Sequence, residues 1–187
     1  SDLIQRVALL LSKEKIIGWF QGRMEWGPRA LGNRSILASA ARPEMKDIIN
    51  SKVKHRELFR PFAPVVLDAY VNKYFIADRP TPPSAKYMLF VYPFTAKGKL
   101  DVPAVVHVDG TGRLESLART DNPLYYDVIE AYRTITGIPI IINTSFNVRG
   151  EPIVCSPTDA VQCFLKTDID YLMIGPFLVR KTVNGKR

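Results

Sequence analysis

Cysteine is scarce here: Cys155 and Cys163 are the only two in 187 residues. That is too few for a disulfide framework and lacks the paired spacing of a structural zinc site, so both read as ordinary buried thiols. Histidine is as scarce; His55 and His107 are not arranged as a metal pair, and no Ser, His and Asp set with a recognisable spacing accompanies them. Neither GxxxxGK(S/T) nor GxGxxG occurs, which excludes a Walker-type loop and a dinucleotide fingerprint. No uninterrupted apolar run approaches the roughly 20 residues of a membrane helix, and there is no internal repeat or low-complexity tract. What remains is the expectation of a soluble, cytoplasmic, globular chain, 47% hydrophobic and 24% charged, whose length fits one domain better than two.

What is present is positive charge. Lys and Arg number 26 against 18 Asp and Glu, a formal +8, which points to an anionic partner without naming the anion. The cations are scattered, as in a phosphate pocket assembled by folding, rather than gathered into the runs and aromatic stripes of a nucleic-acid binder. Short pairs appear only in KHRELFR and the terminal NGKR.

Leu3, Val7, Leu10 and Leu11 recur at helical spacing in an opening helix that starts abruptly, suggesting a piece cut from a longer protein. Ile16–Gln21 reads as a strand. GRMEWGPRALGNRSIL (residues 22–37) fits no regular element. Pro43 opens a short helix through Met45, Ile48, Ile49 and Val53. Phe62–Leu67, Tyr87–Tyr92 and Val102–Val108 read as strands, with the proline-rich RPTPPS, including Arg79, as a surface excursion. A helix from Leu124 to Ile135 ends at Gly137, a strand PIIIN follows, and Ser156, Pro157 and Asp159 open a helix burying Ala160, Val161, Phe164 and Leu165. Two strands, around Tyr171–Ile174 and Phe177–Lys181, close the pattern. The irregular mixture predicts an α/β fold, with α+β as the alternative: a twisted mixed sheet flanked by helices.

Four segments carry too much polar chemistry for connectors. Residues 22–37 gather Arg23, Glu25, Arg29 and Arg34 among glycines and prolines. KHRELFRPF places Lys54, Arg56 and Arg60 within seven residues before an apolar strand, where they repel one another unless an anion arrives. Asp109-Gly110-Thr111-Gly112 delivers Arg113 from a turn. NTSFNVRGEP sets Asn143, Thr144, Ser145, Asn147 and Arg149 directly after an apolar strand and before a helix, as in a pocket floor that binds nucleotide oxygens.

In this order the four segments resemble the C-terminal domain of the carbamoyltransferases named for NodU and CmcH, over roughly Gly18–Arg180. The resemblance implies a YrdC-like fold and a domain that joins carbamoyl phosphate and ATP, with Mg²⁺, into carbamoyl adenylate. A separate N-terminal domain of the same polypeptide would then pass the carbamoyl group to an acceptor hydroxyl. It implies Lys54, Arg60 and Arg113 as catalytic cations, and Arg29, Arg149, Asn143, Ser145 and Asn147 as the nucleotide-binding set. Gly112 and Glu115 stand where the family tends to have Ala and Gln. Two readings stay beside this one: a threonylcarbamoyladenylate-synthase-like enzyme, whose different lysine and arginine pattern is not intact here, and a basic RNA-binding module, disfavoured by the scattered cations. Acceptor and oligomeric state stay open.

Overall fold

The structure is a computed structural model that describes residues 2–78 and 80–181; Arg79 and the terminal NGKR lie outside the described residues. Nine strands and six α-helices are named below in chain order. The first helix, α1 (Asp2–Ser12), buries Val7, Ala8 and Leu11. Two further helices form where the sequence announces them, because their ends are satisfied locally. In α5 (Pro123–Thr136) the Asn122 side chain accepts the Tyr125 N–H, and Gly137 closes the helix at φ +78°, a left-handed conformation that glycine adopts without strain. In α6 (Pro157–Lys166) Ser156 and Asp159 form a reciprocal capping box. The buried stripe of α6 is Ala160, Cys163 and Phe164, whereas the expected Val161 and Leu165 are 41% and 65% exposed. Thr167 completes the inward i, i+3, i+4, i+7 series, bonding the Cys163 carbonyl.

Seven strands form one mixed sheet in the order β6-β3-β7-β2-β1-β8-β9: β1 (Ile17–Phe20), β2 (Arg34–Ser39), β3 (Ala63–Leu67), β6 (Glu115–Leu117), β7 (Ile140–Ser145), β8 (Tyr171–Ile174) and β9 (Phe177–Arg180). β1 pairs in parallel with β8 and β3 with β6, while the other pairs are antiparallel. Every residue of β1, β2 and β3 is buried. Period-two alternation sends Ile17, Trp19, Leu37, Val65 and Ile141 to the face packed by α1 and α5. Phe20, Ile36, Ala38, Val66 and Ile142 go to the other face, against α6 and α2 (Glu44–Ile49). Helices on both faces are why these strands read as continuous apolar runs rather than alternating ones.

Several expectations change in the folded chain. The strand β2 begins at Arg34, inside the segment read as irregular. Val102–Val108 is a 3-10 turn at Pro103–Val105 rather than a strand; Pro103 has no N–H for a ladder, and the apolar run reflects burial of Val102, Ala104 and Val105. Of the expected Tyr87–Tyr92 strand only Val91 and Tyr92 fall in a strand, β4 (Val91–Pro93), which pairs with β5 (Thr111–Arg113) in a separate two-stranded ribbon. The short β6 and the helices α3 (Val71–Tyr74) and α4 (Ala96–Asp101) escape a sequence reading, being three to six residues long. Cys155 is exposed and only Cys163 is buried.

Candidate functional site

The site forms where β7 ends and β2, β3 and β6 begin, with Ser145 opposite Ser35, Asn143 opposite Ala63, and Glu115 opposite Val65. The loop 22–33 reaches it in a fixed shape. A Glu25 carboxylate oxygen accepts the backbone N–H groups of Leu31 (2.8 Å), Asn33 (2.6 Å) and Arg34 (3.3 Å), so this acid holds backbone rather than the neighbouring arginines. Arg34 turns inward, donating to the carbonyls of Gln21 (2.6 Å), Asn33 (3.0 Å) and Gly22 (3.1 Å) with its guanidinium 3.6 Å from the Phe20 ring centroid. It braces the loop.

The loop presents Pro28, Arg29 and Ala30 to a cleft of about 90 Å³, also lined by Arg56, Pro61, Phe62, Ala63, Met88, Arg113, Asn143, Thr144 and Ser145. Three guanidiniums face this space and no carboxylate lines it. Burial lowers the pKa of Arg113, and the charge of Arg29 lowers it further. Arg56 is lowered by burial, then by Arg60, with a smaller push from Arg113; its Nε donates to Asn50 Oδ1 at 2.8 Å and its guanidinium lies 4.8 Å from the Phe62 ring centroid. Among the described residues four buried side-chain polar atoms have no partner within the protein; Arg113 Nε and Asn143 Oδ1 belong to residues lining this cleft, whereas Arg34 Nε and Tyr125 Oη lie outside it. Unpaired buried groups of this kind are rare and are expected where a ligand completes them.

Lys54, at the end of a π-helical turn (Asn50–Lys54) that His55 closes at φ +47°, does not line the cleft. Lys54 is 3% exposed, and its ammonium donates to Ser145 O (2.5 Å), Asn147 O (3.0 Å) and Asn147 Oδ1 (2.9 Å), with Ser145 Oγ at 3.4 Å. Burial, with Arg56 adding, pulls it down to about 7, against acceptors that favour the charged form. Lys54 therefore pins the turn carrying Ser145 and Asn147. Asn147 lies behind the wall, tied to Ser145 Oγ and Glu151 O.

Glu115 is buried on the far side of Asn143, whose Nδ2 donates to it at 2.6 Å and to Ala30 O at 2.9 Å. Burial pushes the Glu115 carboxyl up to about 8, against the Asn143 hydrogen bond and with Glu25 adding to the rise. Between the unfolded value near 4.5 and about 8 the native state holds a proton that the unfolded chain has lost, so ionisation costs stability as pH rises. Glu115→Gln is expected to remove this loss: melting at pH 5 and pH 8 should show the wild type losing on the order of 4 kcal/mol relative to the variant across that interval. The Lys54 contribution is common to both proteins and cancels. Parallel pH curves would show that Glu115 is ionised in the folded protein throughout.

Residues 8–181 match the model of the carbamoyltransferase C-terminus family. The chain belongs to that family. It is 49% identical to the nodulation protein NolO of Bradyrhizobium diazoefficiens over 181 residues, 96% of this chain and 33% of NolO. It is 42% identical to nodulation protein U of Sinorhizobium fredii over 160 residues, 86% of this chain and 27% of that protein. The chain thus spans about a third or less of these relatives. Among solved structures, full-length HypF in its phosphate- and nucleotide-bound form superposes with a TM-score of 0.61 at 22% identity, covering 98% of this chain and 22% of HypF. YciO of E. coli gives 0.59 at 13% identity, covering 96% and 87%. These two likenesses concern the fold, and they agree with a YrdC-like mixed sheet.

In this family domain the expected site residues separate into groups. Arg29, Arg113, Asn143 and Ser145 meet at one cleft. Arg60 and Arg149 stand exposed outside its lining, 3.8 Å and 3.5 Å from opposite oxygens of Glu57. Arg149 belongs to the turn in which Glu151 N–H bonds Val148 O and Gly150 sits at φ +80°, so the expectation of a cavity-facing side chain is not met. Arg56 is the cleft cation that the motif reading named but did not select; its signal is its adjacency to Phe62, the ring it covers. The departures at Gly112 and Glu115 have local reasons. A Cβ on Gly112 would stand 2.4 Å from Phe94, and Glu115 supplies the acceptor for Asn143.

Proposed function

We propose that this domain binds carbamoyl phosphate and ATP at the arginine cleft and forms carbamoyl adenylate, the first half-reaction of an O-carbamoyltransferase whose transfer step belongs to an N-terminal domain of the longer polypeptide. The observation that carries this reading is a cleft lined by Arg29, Arg56 and Arg113, without a carboxylate, in which Arg113 Nε has no partner. Arginine matches phosphate oxygens two at a time, and three such groups offset the repulsion between two polyanions brought within reacting distance. The family match agrees with it, as does the phosphate- and nucleotide-bound form in which HypF, a protein of similar fold, has been solved.

The chain's own contribution is then positioning and charge neutralisation. Arg29 and Arg113 hold phosphate oxygens, Arg56 supports them from the Phe62 side, and Lys54 fixes the Ser145 rim. Water cleaves carbamoyl phosphate to carbamate and inorganic phosphate, and a carbamate oxygen then attacks the α-phosphorus as pyrophosphate leaves. The cleft offers no acidic ligand, and among the described residues no group of three or more His, Cys, Asp and Glu gathers. Mg²⁺ would therefore be held mainly by polyphosphate oxygens and water.

Labelled pyrophosphate should exchange into ATP only when carbamoyl phosphate is present, and isothermal calorimetry should register both ligands. Absence of heat from either ligand at low salt, together with absence of exchange, would overturn the reading. Arg149→Lys, at an exposed ion pair, is expected to change ligand affinity by less than about fivefold; a larger loss would place Arg149 on the ligand.

A further inference from the structure

Asn143 is 1% exposed and its amide orientation is fixed by its surroundings. Nδ2 donates to a backbone carbonyl, Ala30 O at 2.9 Å, and to Glu115 Oε2 at 2.6 Å. A carbonyl oxygen can only accept, so the nitrogen must lie on that side and Oδ1 on the other. Oδ1 is buried without a donor, in a residue that lines the cleft. The charged side chains lining it are all arginines, which only donate, and the hydroxyls of Thr144 and Ser145 can do either. Asn143 Oδ1 is thus the one lining side-chain oxygen restricted to accepting.

Phosphate oxygens cannot satisfy it, because they also only accept. The group it fits is an N–H or O–H donor on the ligand, and fully ionised carbamoyl phosphate offers only the N–H of its amino group. We propose that Asn143 Oδ1 accepts a hydrogen bond from the amino group of the carbamoyl moiety, making Asn143 the residue that distinguishes carbamoyl phosphate from acyl phosphates of equal charge. This rests on the proposed use of the cleft. The consequence follows from the asymmetry of buried hydrogen bonds: a ligand with a methyl group in place of the amino group leaves Oδ1 desolvated and unpaired, and sites built to bond a polar group reject such analogues strongly.

Acetyl phosphate is the probe, matching carbamoyl phosphate in charge and nearly in size but carrying methyl for amino. Calorimetric competition on the full chain, with and without a non-hydrolysable ATP analogue, should show carbamoyl phosphate favoured at least tenfold. Asn143→Ser, whose shorter side chain leaves no acceptor at the Oδ1 position, should reduce that preference to less than about threefold, whereas Glu115→Gln, which retains an acceptor for Nδ2, should preserve it. The readout is a ratio of two ligands on one protein, which a general loss of packing does not shift. If Asn143→Ser fails to fold, the wild-type ratio still decides. Equal binding of both acyl phosphates to the wild type overturns the assignment and leaves the phosphate cleft standing; a preference retained in Asn143→Ser does the same. Failure of both ligands to bind removes the cleft reading, and this assignment with it.

Discussion

Arg113→Ala is expected to weaken binding of carbamoyl phosphate and ATP by on the order of 100-fold, while leaving the ligand-free protein as stable as before or slightly more so. The two effects have different origins. Arg113 is half-buried beside Arg29, and its Nε has no partner in the protein, so without an anion it contributes desolvation cost and like-charge repulsion. With an anion it supplies charge-assisted hydrogen bonds, each worth roughly 1.5–3 kcal/mol. Arg113→Lys keeps a charge but loses the planar fork, and about a tenfold loss is expected. Thermal melting with and without ligand reads both quantities, since the ligand-induced rise in Tm follows affinity through linkage. A ligand-induced rise unchanged in Arg113→Ala would remove this residue from the site; a large drop in ligand-free Tm would make it a structural arginine like Arg34.

Gly32→Ala is expected to be the most damaging small substitution in the chain, costing about 3–5 kcal/mol, the scale of a severe core disruption, and lowering Tm by roughly 10 °C. Gly32 holds φ +98°, and a Cβ there would stand 2.2 Å from the ring of buried Tyr125. Its carbonyl accepts the Trp19 indole N–H at 2.7 Å, so movement of Gly32 disturbs both rings. Gly22→Ala is the control. It too has a positive φ, +47°, but a Cβ would meet nothing within 4 Å, leaving only a backbone penalty of about 1 kcal/mol. Denaturant melts that give both variants the same loss would show that backbone conformation, and not the Tyr125 contact, sets the requirement at Gly32. Because Arg29 and Ala30 sit on the same loop, Gly32→Ala should also weaken ligand binding beyond its effect on stability.

The segments legible in the sequence share one property: their structure follows from neighbours within a few residues. The caps of α5 and α6 bond across three positions, and β1, β3 and β7 show as apolar runs because both sheet faces are covered. The failures are equally specific. Val102, Ala104 and Val105 looked like a strand because burial, not extension, made them apolar. The inward face of α6 was set one position away from the expected one because Cys163 and Thr167 fill it.

The sequence by itself determined the family, the mixed α/β sheet and the four segments from which the site is drawn, since composition, capping and local motif order are properties of short stretches. Only the tertiary structure decided what each cation does. Arg34 and Lys54 are held by protein carbonyls, Arg60 and Arg149 share Glu57 at the surface, and Arg29, Arg56 and Arg113 are left facing the cleft. A cation's role depends on which groups lie within about 4 Å of it, and at this site those groups come from far along the chain: Lys54 meets Ser145 across 91 residues, and Asn143 meets Ala30 across 113.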